Sequence, residues 1–130
     1  MNEPAWVLPE VVIAVHQMLL AEHGGAPGIR DEALLDSSLN RPKQRFLYDE
    51  KSSVFDLAAS YSYGLAKNHP FMDGNKRIAL SVGAIFLELN GNSLNAAEAE
   101  AVVILERLAA GDLSEEDIAS WFKASSILKA

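Results

Sequence analysis

At 130 residues, with 49% hydrophobic and 22% charged side chains, the chain has the length and composition of one globular domain, not of a disordered tract. It contains no cysteine, which removes disulfides, thiolate nucleophiles and cysteine metal sites and leaves histidine, carboxylates, hydroxyls or bound ions to carry any chemistry. A formal net charge of -7 argues against nucleic acid as a direct partner, and no run approaches the roughly 18 apolar residues that span a bilayer, which argues against a membrane.

The chain opens on Met1-Asn2-Glu3-Pro4, without the basic region of a secretory signal, so a cytoplasmic protein is expected. Ala5 to Leu8 precedes a proline and is expected to be a brief extended piece or strand. Val11, Val12, Val15, Leu19 and Leu20 recur at helical spacing between Pro9 and Gly24-Gly25, which predicts a first helix over 9–23. After the loop Gly24 to Ile29, Asp31 can cap a short helix over 32–39, which Arg41-Pro42 is expected to end. Lys43 to Ser52 mixes Phe46, Leu47 and Tyr48 with charges and is read as a hairpin or flap. A third helix is predicted over 53–68, with Phe55, Leu57, Ala58, Tyr61 and Leu65 available to the core.

Asp73 then opens the longest helical pattern, with Ile78, Val82, Ile85, Phe86 and Leu89 in one stripe and a stop at Asn90-Gly91. Within it, Ala79 and Gly83 are small enough for a neighbouring helix to approach closely. Asn95 with Glu98, and Ser114 with Asp117, look like capping boxes that start helices over 96–110 and 115–128. The sum is an all-α domain of about six helices with a small β flap.

The segment from His69 to Arg77 combines features that rarely meet for structural reasons alone. His69, at the end of a helix, suits the helix dipole as a charge, but a neutral imidazole can also take a proton from a hydroxyl. Asp73 suits an N-cap, and a carboxylate beside a polyphosphate can also hold magnesium. Gly74, Asn75 and Lys76 occupy a first helical turn, where free N–H groups and the dipole favour an anion. Lys76 and Arg77 are two cations that would otherwise sit badly at a helix N-terminus. His69 and Asp73 could also be two ligands of a transition-metal hydrolase, although His16 and His23 show no matching spacing and His16 is better read as a structural core histidine.

His69-Pro-Phe-Met-Asp73-Gly-Asn75-Lys76-Arg77 resembles the Fic/Doc motif, HxFx[DE]GN[GK]R in its general form. Gly24 to Asp31, Leu34 to Leu39 and Arg41-Pro42 are similar to the N-terminal half of death-on-curing (Doc-like) toxins, so that the resemblance runs over roughly residues 9–91. It implies one Fic/Doc domain over 1–130. It further implies that His69 is the base, that Asp73 holds Mg2+, and that Gly74, Asn75, Lys76 and Arg77 bind the phosphates of ATP. Lys76, Arg77, His69 and Asp73 would be the catalytic set.

AMP-transferring Fic enzymes have glycine where this chain has Lys76, whereas Doc-like proteins have lysine. The resemblance therefore implies transfer of the γ-phosphate of ATP to a Ser or Thr hydroxyl of a protein, elongation factor Tu by analogy, with arrest of translation. Pro70 and Gly74 are more Fic-like, which keeps AMP transfer as the alternative reaction. A non-catalytic toxin-antitoxin binding module is a third reading. The region from Arg41 to Ser52 would be the flap that holds the target. No Ser or Thr is followed four residues later by Glu, so the inhibitory signature of some Fic proteins is missing, and a separate Phd-like antitoxin is the implied partner.

Overall fold

The computed structural model describes residues 1–129. Among them are six helices, α1 (Pro9–His23), α2 (Glu32–Tyr48), α3 (Val54–Asn68), α4 (Asn75–Leu89), α5 (Glu98–Ala109) and α6 (Glu115–Ser125), and two strands, β1 (Asn92–Leu94) and β2 (Ser126–Leu128). The all-α expectation and the helix number hold. No helix is long and apolar enough to cross a membrane.

Local signals set several boundaries as expected. Pro9 starts α1, where its missing N–H costs nothing. Ser114 closes the expected reciprocal capping box with Asp117, and Ser53 closes a second one with Asp56 that the sequence reading had not singled out. Asp31 accepts from the Leu34 N–H at 3.0 Å and caps α2.

α3 is the central helix. Leu57, Ala58, Ala59, Tyr61, Leu65 and Ala66 are all buried, and α2, α4 and α6 pack around them. Phe55 is only partly buried. Burial pushes the Tyr61 phenol up to about 12, an effect partly offset by the Val7 N–H that donates to it. The close approach expected at Gly83 is present: a Cβ there would collide with Ser62 Oγ of α3 and come within 2.7 Å of Phe122 of α6. Beside it the Ser62 hydroxyl donates to the Ala79 carbonyl at 2.6 Å, tying α3 to α4.

Four expectations are corrected. Ala5 to Leu8 forms no strand; its polar groups are met by side chains, with Ala5 N–H donating to Asn90 Oδ1 and Asn90 Nδ2 donating to the Ala5 carbonyl. α2 does not stop before Pro42 but runs through it to Tyr48, so residues 43–48 are helical and no flap exists there. A proline inside a helix costs about 3 kcal/mol. Here Pro42 is buried, and the continued helix brings Arg41 and Arg45, four residues apart, to Glu115 at 2.5 and 2.7 Å, while Phe46 meets Trp6 edge-on.

The capping box expected at Asn95 is absent. Its N–H donates to the Ser125 carbonyl, and Ala97 takes the N-cap position without a side-chain bond. α6 ends at Ser125 instead of 128, because Ser126 to Leu128 pairs antiparallel with β1 in the register Asn92 to Leu128, Ser93 to Ile127 and Leu94 to Ser126. The small β element is therefore real but joins residues 92–94 to the end of the described chain.

Candidate active site

The loop from His69 to Gly74 joins α3 to α4, and its shape is set from outside. His69 is left-handed, with φ 48° and ψ 55°, and among the described residues no other non-glycine has positive φ. Such a conformation costs roughly 1–3 kcal/mol unless its surroundings hold it. Arg30 supplies the hold: Nε donates to the His69 carbonyl at 2.7 Å and Nη2 to the Asn68 carbonyl at 2.8 Å. These are carbonyls that the end of α3 leaves without helical partners. The backbone is laced to the same segment, with Arg30 N–H and Asp31 N–H donating to Pro70 and Met72 N–H donating to Gly28.

The turn into α4 is fastened from within. Phe71 is fully buried, and its N–H and carbonyl both bond the Asn75 side chain at 3.0 Å. Gly74, not Asp73, is the N-cap, at φ 76°, a region that suits glycine. The Asp73 carboxylate instead accepts from the Gly74 N–H at 2.9 Å through Oδ1 and from the Ala26 N–H at 3.3 Å through Oδ2. Gly25 lets the preceding loop press this close, since a Cβ there would lie 2.9 Å from Asp73 Oδ2. Ile78 N–H to the Gly74 carbonyl is the first helical bond of α4, so the N–H groups of Asn75, Lys76 and Arg77 precede the ladder.

His69, Asp73, Gly74, Asn75, Lys76 and Arg77 all line one cavity of about 500 Å³, whose lining also takes in Val102, Leu105 and Glu106 of α5. All six residues singled out in the sequence thus meet at one place. Lys76 and Arg77 are exposed, and neither takes part in the ion pairs found among the described residues. By contrast, the other basic stretch is largely consumed, because Arg41 and Arg45 both bond Glu115. Two uncompensated cations and free N–H groups at a helix start make this wall of the cavity attractive to a polyanion.

Among the described residues no group of three or more His, Cys, Asp or Glu side chains converges, so a hydrolase metal held wholly by protein lacks its ligands. Asp73 is a different case. One cavity-lining carboxylate beside an anion site fits magnesium, which takes one or two protein oxygens and draws the others from phosphate and water.

Two roles differ from the sequence reading. The Asn75 side chain is clamped on Phe71 through Oδ1 and one Nδ2 hydrogen, so it is its backbone N–H that stands with those of Lys76 and Arg77 at the start of α4. Asp73 caps nothing in the usual sense; its carboxylate bonds the Gly74 and Ala26 N–H groups, and the residue lines the cavity. Arg30, His16 and the α5 wall were not anticipated as parts of the site. Arg30 lies in the Gly24 to Asp31 block, which carried a resemblance but no chemistry. Val102, Leu105 and Glu106 share a helix face by their spacing, with no sequence signal that this face turns to the motif.

The Fic/DOC family model matches residues 6–87. This chain belongs to the Fic/DOC family. Its Doc-like character is supported by two relatives: "Protein kinase doc" of Escherichia phage P1, 35% identical over 85 residues that make up 65% of this chain and 68% of that protein, and "Toxin Doc" of Mycolicibacterium smegmatis, 41% identical over 75 residues, 56% of this chain and 57% of that protein. As a Fic/DOC protein the chain carries its family match over α1 to α4, the elements that build the loop from His69 to Gly74 and the first turn of α4. The α5 wall of the cavity lies beyond the matched residues.

Proposed function

We propose that this Fic/DOC protein is a toxin that transfers the γ-phosphate of ATP to a Ser or Thr hydroxyl of a protein target. The observation that carries the reading is the meeting, in one cavity, of His69, Asp73, the free first turn of α4 and the unpaired cations Lys76 and Arg77. His69 takes the proton of the target hydroxyl as its oxygen bonds the γ-phosphorus and the bridging oxygen leaves with ADP. The first-turn N–H groups, Lys76 and Arg77 hold phosphate oxygens and neutralise their charge, which is most of what phosphoryl transfer asks of a protein. Asp73 would hold magnesium, which supplies further charge neutralisation when bound.

Lys76 favours the γ-phosphate over AMP transfer. Its side chain fills room that a glycine would leave beside the anion site, and adds a point charge there. The relatives' names, a protein kinase and a toxin, agree with this choice. The toxin reading also brings a Phd-like antitoxin as partner and elongation factor Tu as the first target to try. The target would not be held by a flap at Arg41 to Ser52, because that stretch is mostly helix.

The test incubates the protein with elongation factor Tu and ATP labelled on the γ- or the α-phosphate. Incorporation of the γ-label that disappears in His69→Ala is the expected result. Incorporation of the α-label alone would replace phosphoryl by AMP transfer, and incorporation of neither label would remove elongation factor Tu as the target and turn the search to other proteins.

A further inference from the structure

His16 of α1 is a buried histidine, 2% exposed, that the proposed reaction does not use. Its Nε2 lies 2.8 Å from the backbone carbonyl oxygen of Asp73. A carbonyl can only accept, so Nε2 carries the proton and the tautomer is fixed. The same ring stacks on Phe71, with centroids 3.8 Å apart and planes 16° from parallel. One side chain therefore touches both ends of the turn from Phe71 to Asp73, and Gly74 sits close against it, where a Cβ would lie 3.6 Å from Nε2.

The Asp73 to Gly74 peptide is thus held on both edges. Its carbonyl is fixed by His16, and its N–H by the Asp73 carboxylate itself. If the carbonyl were free to rotate, the N–H would turn with it, because the peptide is planar, and the carboxylate would lose the donor that orients Oδ1. Oδ2 would keep only the longer bond from Ala26. Accepting the proposed role of Asp73 toward magnesium, we propose that His16 is a positioning residue: through the Asp73 carbonyl it fixes the direction of the carboxylate and the entry of α4 into the anion site. Groups that orient a ligand from behind commonly matter nearly as much as the ligand.

Two variants separate this role from packing. His16→Phe keeps the ring and its stack on Phe71 but has no donor; His16→Gln keeps a donor at similar reach but has no ring. His16→Phe is expected to lower kcat by about 10- to 100-fold and to raise the Mg2+ concentration for half-maximal transfer by a similar order, with little change in KM for ATP. His16→Gln is expected to recover most of the transfer. A packing role predicts the reverse order. Calorimetry with a non-hydrolysable ATP analogue supplies a readout apart from transfer: Mg2+-dependent binding should weaken in His16→Phe and be retained in His16→Gln and His69→Ala. An unchanged Mg2+ requirement in a folded His16→Phe protein would overturn the inference, as would a folded His16→Gln protein as impaired as His16→Phe. If His16→Phe fails to fold, the Gln variant still decides by its retained or lost binding. Absence of γ-transfer in the unaltered protein counts against the proposed reaction, while the binding measurements continue to judge His16.

Discussion

The Asn75 side chain and the Phe71 backbone bond each other twice, with Oδ1 accepting from the Phe71 N–H and Nδ2 donating to its carbonyl, both at 3.0 Å. Both residues are buried, so this clamp closes the turn out of reach of water. Asn75→Asp keeps the shape but loses the donor and leaves the Phe71 carbonyl unpaired. A cost of about 1–3 kcal/mol is expected from urea unfolding. Phosphate binding should weaken as well, since the added charge sits in the first turn of α4.

In the proposed reaction, Lys76 carries the choice between phosphoryl and AMP transfer. Lys76→Gly opens room at the anion site and removes a charge, and transfer of the γ-phosphate to a protein hydroxyl should fall by at least 10-fold, with any gain appearing as AMP transfer. Labelled ATP of both kinds checks this. A variant that moved only the γ-phosphate at the original rate would remove Lys76 from the argument.

Arg30 holds the last carbonyls of α3 and with them the left-handed His69. Arg30→Ala is expected to cost only about 1 kcal/mol of stability, because the guanidinium is exposed, yet to lower transfer by about 10-fold through misplacement of the imidazole. Arg30→Lys should restore part of the stability and little of the rate, as one ammonium cannot reproduce the two-nitrogen fork. Thermal unfolding and kcat, measured side by side, separate the two effects.

Gly83→Ala tests the packing of α3, α4 and α6. Alanine is the better helix former by about 1 kcal/mol, so a solvent-facing site would gain stability. Here the added methyl meets Ser62 and Phe122, and a net loss of roughly 1–3 kcal/mol is expected from the shift in denaturation midpoint.

Asp117 gives a pH-dependent prediction. The Ser114 backbone N–H, joined by the Ser114 hydroxyl, holds its carboxyl below the usual range. A carboxyl lowered on folding stabilises above its unfolded pKa, and that contribution is lost as pH falls through the folded value. Asp117→Asn should therefore melt below the unaltered protein at pH 7, and the gap should close in acid. Melting curves across that range settle it, a constant gap being the contrary outcome.

Much of the fold was legible because its signals are local. The box at Ser114, Pro9 at the start of α1 and the stop after Leu89 involve residues within a few positions of each other, and they fall where expected. The six candidate site residues were legible for the same reason, since they lie within nine consecutive positions at the junction of two helices. The misread helix boundaries are set by long-range contacts. Pro42 is a local stop signal overruled by Glu115, some 70 residues away, and Asn95 is a local capping signal overruled by pairing with Ser125.

By itself, then, the sequence determined which residues would come together in one short segment and that helices would frame them, since motif spacing and helix caps act over one or two turns. Tertiary structure alone decided how that segment is held: Arg30 on the His69 carbonyl, His16 on the Asp73 carbonyl, and α5 residues lining the same cavity as Lys76. Most of these bonds join positions 39 or 57 residues apart, and a bond of that span forms only after the helices have packed and excluded the water that would otherwise satisfy the same groups.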